Sequence, residues 1–356
     1  MTLPDPVDAE YLRAWARHTH RSPLYAHLID LTIHRPELMR VIQRIDNRPP
    51  PNVYLAAIHF LLMEDQSSQL ARYYRSLVDD PLPVEGVDDA FVEFVVANEE
   101  AIVCLANSRY TQTNECRRCV ALLPGVMTSS FDRFHLVEIG SSAGLNLALD
   151  RYRYDFDGLE WGPDSPVLLA AGVPGDQPRL RPIEIGRRVG IDINVIDRND
   201  RDDRLWLDAL IWPEHDERRE RLRRALEVTS GMDLELMEGN VLDRLEQVLT
   251  DLPGSEPVVV MNSFVLLQLD PGQRGEVEQI AEATRSFRPV YRVSLELVHM
   301  EDDWARLEVG DEVELAELGR AHPHGEWVDL DHSAPIEPDA RFRHVAGMRG
   351  SGQVRP

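Results

Sequence analysis

The residues Glu138-Ile139-Gly140-Ser141-Ser142-Ala143-Gly144 have the types and spacing to hold a ligand. His135, Leu136, Val137 and Ile139 give the stretch before the glycines the apolar character of a short buried strand. Residues 140–144 carry almost no side-chain bulk, and apolar residues return at helical spacing at Leu145, Leu147, Ala148 and Leu149. The pattern predicts a strand, a tight loop and the start of a helix. Such a junction presents free backbone N–H groups and a partial positive charge to a ligand. Glu138 before the turn and Asn146 after it add polar groups. A glycine pair alone fits a sharp turn between packed elements equally well; the flanking residues favour a site.

The rest of the chain must hold these residues in place. From residue 131 it alternates strand and helix patterns, the sign of a parallel sheet covered on both faces. A second strand is read at 189–194, a third at 233–237, a fourth at 257–261 and a fifth at 290–297, with helices at 205–212, 218–228 and 275–286. Residues 151–189, rich in Gly, Pro and acids, read as an insertion holding a hairpin. Ligands of such sheets gather beyond the carboxyl ends of the strands. Glu138, Asp192, Glu238 and Asn262 are all expected at that edge.

The segment Glu138–Gly144 resembles the E-x-G-x-x-x-G first motif of class I S-adenosylmethionine-dependent methyltransferases, with Ser142 where many members have a middle glycine. The stretch VEIGSSAGLNLALDRYRYD, with QTNE at 112–115 and WPEHDER at 212–218, resembles the family catalogued as domain of unknown function 2332 over most of the chain. The first resemblance implies a Rossmann-like α/β methyltransferase fold, doubly wound and mostly parallel, at 131–330. It implies S-adenosylmethionine as cofactor, wrapped by Gly140, Ser141, Ser142 and Gly144, with Glu138 and Asn146 alongside. It further implies an acid at the second strand end that grips the ribose hydroxyls, Asp192 or, in another register, Asp197, since a carboxylate accepts two hydrogen bonds from a diol. Glu238 and Asn240 are implied near the adenine, with Asn262 at the fourth strand end. Residues 306–318 and 327–330 are expected to complete the sheet as an antiparallel pair.

Residues 1–130 read as a helical N-terminal cap region. Asp8 suits a cap before Tyr11, Leu12 and Trp15, Pro36 a first turn, and Asp88 a cap before Phe91, Val95 and Ile102. A short helix is read at 114–122, ending at Pro124-Gly125. Just ahead of it, Arg109, Gln112, Asn114, Glu115 and Arg118 fall within ten residues of an otherwise apolar region. A cap needs one of them, so these five are substrate candidates, with Glu115 and Arg118 sharing a helix face. Cys116 and Cys119 are read as small buried hydrophobes, and His322 and His324 lack partners at ligand spacing, so no metal is expected. Residues 331–356 read as a loose tail.

The net charge of −24 disfavours nucleic acid and anionic membranes as partners. All 38 basic residues are arginine, against 62 acids. Acid excess without lysine suits a salt-rich cytoplasm and a halophilic source. Three cysteines give no disulfide framework. MTLPDPVDAEYL has no apolar core, so a signal peptide is not expected, and no apolar run is long enough for a membrane span. The expected location is cytoplasmic and the expected partner a small-molecule substrate, with the oligomeric state open.

The resulting expectation is a methyltransferase acting by direct displacement on a small acceptor, with Ser263, Glu296 and His299 near the substrate and no general base assigned. A non-catalytic module for ligand sensing or protein contacts on the same fold is the alternative. A nicotinamide-dependent oxidoreductase ranks lower, because Gly140 and Gly144 give G-x-x-x-G and not G-x-G-x-x-G. With 62 acids against 38 arginines, the melting temperature should rise from dilute buffer into molar KCl as screening removes self-repulsion. Thermal unfolding across that range checks this; a flat or falling midpoint would remove the halophile reading.

Overall fold

Five helices of this chain begin where a side-chain cap or a proline is supplied. The computed structural model describes residues 7–17, 22–47, 49–298, 303–311 and 314–333. By contact the chain divides into two units, Met1–Asn114 with Ile196–Arg223, and Glu115–Val195 with Arg224–Pro356. The division therefore falls earlier than the sequence boundary at 130, and residues 196–223 belong with the helical unit.

In the first unit, α1 (Ala9–Ala16) starts at Asp8, whose carboxylate accepts the Tyr11 N–H at 2.8 Å. α2 (Pro23–His34) has no counterpart in the sequence reading; Ser22 caps it and Pro23 opens it. α3 (Pro36–Ile42) and α4 (Pro50–Glu64) also open on prolines, whose missing N–H is not needed in a first turn. α4 buries Val53, Leu55, Ile58, Phe60 and Leu62 around its whole circumference, which makes it the centre of this unit. α5 (Asp88–Ala97) does not use Asp88 as its cap. Asp88 is its first helical residue, and the carboxylate lies 2.8 Å from His27 Nε2. Ile102 sits on a separate helix, α6 (Glu99–Ser108), because the chain breaks at Asn98. After α7 (Cys119–Met127) of the second unit, the chain returns to the first with α8 (Arg201–Ala209). Asp200 caps α8 through the N–H groups of Asp202 and Asp203, which sets its start four residues ahead of the expected one. α9 (Asp216–Ser230) follows.

The second unit is built on β1 (Arg133–Ile139). An insertion then forms a small sheet from β2 (Arg153–Phe156), β3 (Leu159–Trp161) and β4 (Leu168–Ala171): β2 and β3 make the expected hairpin, and β4 adds parallel to β2. β5 (Glu184–Asp192), β6 (Glu235–Glu238), β7 (Val258–Ser263) and β8 (Val290–Leu297) join β1 in a parallel set, in spatial order β6-β5-β1-β7-β8. Order therefore reverses between β1 and β7, where an open α/β sheet forms its crevice. β9 (Ala305–Gly310), β10 (Ala316–Ala321) and β11 (Val328–Leu330) extend β8 as an antiparallel meander, so the expected antiparallel pair is three strands. α10 (Val241–Asp251) and α11 (Pro271–Thr284) pack Leu245, Val248 and Val277 on Val137, Val189 and Val260. α7 packs against β8 and β9, where Gly125 approaches Val293 so closely that a Cβ would lie 2.7 Å from its methyl. The result is a mixed α/β sheet with helices against it, and no described helix is long and apolar enough to cross a membrane. His299 and residues 334–356 lie outside the described residues.

One expectation fails at the centre. No α-helix follows the 140–144 loop; residues Asn146–Arg151 form a 3₁₀ run interrupted at Ala148 (φ −96°, ψ 18°). Its carbonyls are claimed from the side. The Tyr152 hydroxyl donates to Leu145 O at 2.7 Å, Tyr154 to Leu149 O, and Arg188 Nη1 to Leu147 O. Helical N–H groups have no need to reach them. Arg188 on β5 also grips Asp150 bidentately, at 2.7 and 2.8 Å, both side chains largely buried. Asp150→Asn should cost about 3–5 kcal/mol, because it leaves a buried guanidinium uncompensated. Replacing both residues with apolar ones should cost less; urea unfolding of the single and double variants checks this.

Candidate functional site

β1 ends in a loop whose backbone conformation is fixed residue by residue. Gly140 (φ +74°) and Gly144 (φ +72°) are left-handed, and a Cβ on Gly140 would lie 2.7 Å from Val265 Cβ. Ser142 is also left-handed (φ +48°) despite its side chain, a conformation that costs about 1–2 kcal/mol for an L-residue. The compensation is Asp192 at the end of β5. Its Oδ2 accepts the Ser142 N–H at 2.8 Å and its Oδ1 the Asn194 N–H at 2.9 Å. Asp192 is thus the terminal acid of the second parallel strand, and it braces the loop. Gly190 makes room for this: a Cβ there would meet Ser141 Oγ at 2.3 Å.

The loop does not offer its amides to a ligand as expected. The N–H groups of Gly140 and Ser141 donate to Ile191 O, at 2.8 and 3.3 Å, and that of Gly144 to Ser141 O at 2.7 Å. With Ser142 held by Asp192, the N–H groups of Gly140, Ser141 and Ser142 turn toward β5, and the missing helix removes the partial positive charge. What remains at this edge is rich in acceptors.

Glu138 is the central one. It is fully buried on β1, between Gly190 and Met261 in register. Its Oε1 accepts the Asn146 Nδ2–H at 2.7 Å, and Asn146 Oδ1 in turn accepts from Cys119 Sγ at 3.4 Å. Glu138 Oε2 is buried without a partner, as is Ser141 Oγ. Burial, reinforced by the Asp192 charge, pushes the Glu138 carboxyl up to about 8 against the opposing Asn146 hydrogen bond and Arg118 charge. Burial likewise raises Asp192, opposed by its two N–H bonds and reinforced by Glu238.

The other sequence candidates divide. Asn262 donates to Ser294 Oγ at 3.0 Å and Glu296 Oε1 at 2.8 Å, and its own Oδ1 takes no hydrogen bond from the described residues. Glu296 is committed to the turn after β7, where it accepts the N–H groups of Val265, Leu266 and Leu267 at 3.0–3.2 Å. It anchors that turn. Glu238 ends β6 beside Asp192, exposed. Asn240 caps α10 through the Leu242 N–H. Asp197 accepts the Asn199 N–H in a turn of the helical unit, which leaves Asp192 as the strand-end acid.

Residues 109–118 are split by the unit boundary. Arg109 pairs with Asp203, and Gln112 and Asn114 lie with it in the helical unit. Glu115 caps the short 3₁₀ turn Cys116–Arg118, accepting the Arg117 N–H at 3.1 Å. The shared helix face is therefore absent, since the chain is not yet α-helical there. Arg118 instead lays its guanidinium 4.1 Å over the ring of Phe264, a left-handed residue after β7, and donates to Pro323 O at 3.1 Å. Cys119, Ser294 and Phe264 are members that sequence reasoning passed over. The one available signal was the three-residue spacing of Cys116 and Cys119, read as packing. Among the described residues no group of three or more His, Cys, Asp or Glu is placed to hold a metal. A depression of about 240 Å³ on the small sheet is lined by Arg153, Glu160 and Trp161, but Arg153 and Glu160 already pair at 2.9 Å.

The Glu138 environment has a consequence for pH. Its folded value, about 8, lies above the unfolded one. The folded protein then keeps a proton that the unfolded chain releases, so stability is full below about pH 4.5 and falls up to about pH 8, by about 1.4 kcal/mol per unit. Glu138→Gln removes this slope. Between pH 5.5 and 7.5 the variant should gain about 2–3 kcal/mol relative to the parent, read from urea midpoints at each pH.

No curated protein matches the chain. The family model described as an uncharacterized protein conserved in bacteria, DUF2332, matches residues 9–330, which takes in the helical unit, the loop and the sheet edge, and the chain belongs to that family.

Proposed function

We propose that the carboxyl edge of the parallel strands binds S-adenosylmethionine, and that the protein is a methyltransferase on a Rossmann-like fold acting on a small-molecule acceptor. The observation that carries this reading is an acceptor-rich sheet edge at which the amides of Gly140, Ser141, Ser142 and Gly144 are already committed. A cofactor held by its pyrophosphate needs free N–H groups or a helix N-terminus. Residues 140–144 supply neither, which disfavours a nicotinamide dinucleotide. S-adenosylmethionine has the opposite requirement. Its sulfonium and ammonium outweigh one carboxylate, and a net cation is favoured beside Glu138, Asp192 and Glu238.

The residues fit such a group. Glu138 Oε2 is a buried acceptor without a partner, and a cation close to it would favour its ionised form. Asp192 and Glu238, adjacent at the ends of β5 and β6, suit the ribose diol. Asn262 Oδ1 suits an amine donor, and Arg118, within electrostatic reach of Glu138, suits the carboxylate. When bound, the cofactor supplies an electrophilic methyl group. Transfer by direct displacement needs alignment and exclusion of water more than a covalent partner from the protein.

Calorimetry in molar KCl should show binding of both S-adenosylmethionine and its demethylated product. Glu238→Gln should weaken both by about 1–3 kcal/mol with an unchanged melting temperature, because Glu238 is exposed. Asp192→Asn should lose binding and stability together, since the same carboxylate holds Ser142. No heat and no thermal shift with either ligand would overturn the reading.

A further inference from the structure

His322 and His324, with Pro323 between them, belong to a turn that borders the sheet edge. Ala321 ends β10 opposite Ala305, and Ala305 pairs with Leu297 at the carboxyl end of β8. The turn 322–327 between β10 and β11 therefore lies at the carboxyl edge, where Glu138 and Asn262 also stand. Its Pro323 carbonyl accepts the Arg118 Nε–H at 3.1 Å, and the Arg118 guanidinium lies over Phe264. We infer that His322 is a positioning residue for Arg118: its neutral ring folds the turn that holds Arg118, its protonated ring releases that hold, and ligand affinity at this edge falls when His322 gains a proton. For S-adenosylmethionine as that ligand, this rests on the function proposed above.

The ring of His322 takes part in the bonding of the turn. Its Nδ1 accepts the His324 N–H at 3.2 Å, a side-chain bond to the backbone two residues on, as in an Asx-turn. A nitrogen that accepts an N–H carries no proton of its own, so the neutral ring holds its hydrogen on Nε2. That nitrogen lies 3.9 Å from Glu326 Oε2, too far for a direct hydrogen bond. The His322 carbonyl accepts the Gly325 N–H at 2.8 Å, and the His322 N–H donates to Trp327 O at 3.0 Å, so one residue ties the turn at three points. Gly325 is left-handed (φ +72°), and a Cβ there would lie 2.2 Å from Arg117 O. The turn thus packs directly on the backbone next to Arg118.

Protonation reverses one of these bonds. Both nitrogens of an imidazolium are donors, so Nδ1–H would face the His324 N–H and repel it. The bond lost spans Pro323, whose carbonyl is the acceptor for Arg118. Among the described residues, the charged and titratable groups that face the ring are Glu326 and His324 in the turn, and Arg117 and Arg118 on the turn packed against it. Glu326 favours the imidazolium, and the two arginines oppose it. An imidazole ordinarily changes charge at about pH 6.5, so the switch works near neutrality. Arg118 passes the change on, because its charge acts on Glu138 and its guanidinium suits the ligand carboxylate.

The test uses the full chain and two variants. His322→Asn keeps an acceptor where Nδ1 stands and cannot titrate, while His322→Ala removes the acceptor. Calorimetry with S-adenosylmethionine at about pH 8 should find wild type and His322→Asn equal, and His322→Ala about tenfold weaker. At about pH 5.5 the wild type should be about tenfold weaker than His322→Asn and should match His322→Ala. Glu138 titrates in all three proteins, so its contribution drops out of the comparison. The Arg118 Nε–H resonance, assigned by its loss in Arg118→Lys, reads the turn without any ligand. It should move as the His322 ring titrates in the wild type and stay still in His322→Asn. A ring that keeps one charge state over this range, an Arg118 resonance that ignores the titration, or the same pH dependence of binding in wild type and His322→Asn would overturn the inference. No binding by any of the proteins at either pH would overturn the cofactor reading instead, and the Arg118 resonance then decides the positioning role alone.

Discussion

The carboxylate of Asp192 holds the end of the second parallel strand to the loop that leaves the first. One oxygen takes the N–H of Ser142 and the other that of Asn194. Everything at the sheet edge depends on that arrangement. A left-handed serine is unfavourable on its own, and the Asp192 bond, with a glycine at 190 to admit Ser141, lets the loop close. Closing it this way turns the Gly140, Ser141 and Ser142 amides toward β5. The same act that builds the loop therefore decides which ligands it suits, because donors used to fold the site are not offered from it.

Two further anchors hold the surroundings. Arg188 fixes the 3₁₀ run after the loop to β5 through Asp150 and Leu147 O. Glu296 fixes the turn after β7 through three backbone N–H groups and Asn262. Each is an ionisable side chain whose partners are backbone groups, an amide or an opposite charge, the condition under which burial of such a group is tolerated. The left-handed Phe264 falls within the Glu296 turn, and Arg118 lies across its ring. The face of α7 that begins at Cys119 reaches Asn146, and through it Glu138.

Much of this was legible in the sequence where the signal is local. The strand read at 290–297 has the bounds of β8, and the loop glycines mark positions where both φ and space demand them. The helix starts at Asp8 and Pro36 follow from caps that act within one turn. What was not legible depends on partners distant in sequence. The 145–149 stretch has helical spacing, yet Tyr152, Tyr154 and Arg188 take its carbonyls, and nothing in the stretch itself reports that. The direction of the loop amides is set by Asp192, fifty residues on. Arg109 looked like a site residue because charge stands out in an apolar region, and its partner Asp203 lies beyond any helical spacing. Glu296 was read toward a substrate for the same reason, although its partners are backbone donors that carry no sequence signature.

Glu138 separates two kinds of acid in this chain. Most of the 62 carboxylates contribute to a net charge of −24, and salt can relieve their mutual repulsion. Glu138 is out of reach of that screening, buried on a central strand with one oxygen unmatched. Glutamine would fill the same volume, keep the bond from Asn146 and carry no titration penalty, so stability gives no reason for a carboxyl here. A carboxyl differs from an amide in one respect that matters at this position: it can ionise when a cation arrives. Arg118 already draws it that way, and burial and Asp192 oppose it. On the proposed reading, the ligand's positive charge shifts the balance, and the resting protein holds Glu138 neutral until then. The destabilisation of the ligand-free fold above pH 4.5 and the affinity for a cation are then two expressions of one buried group.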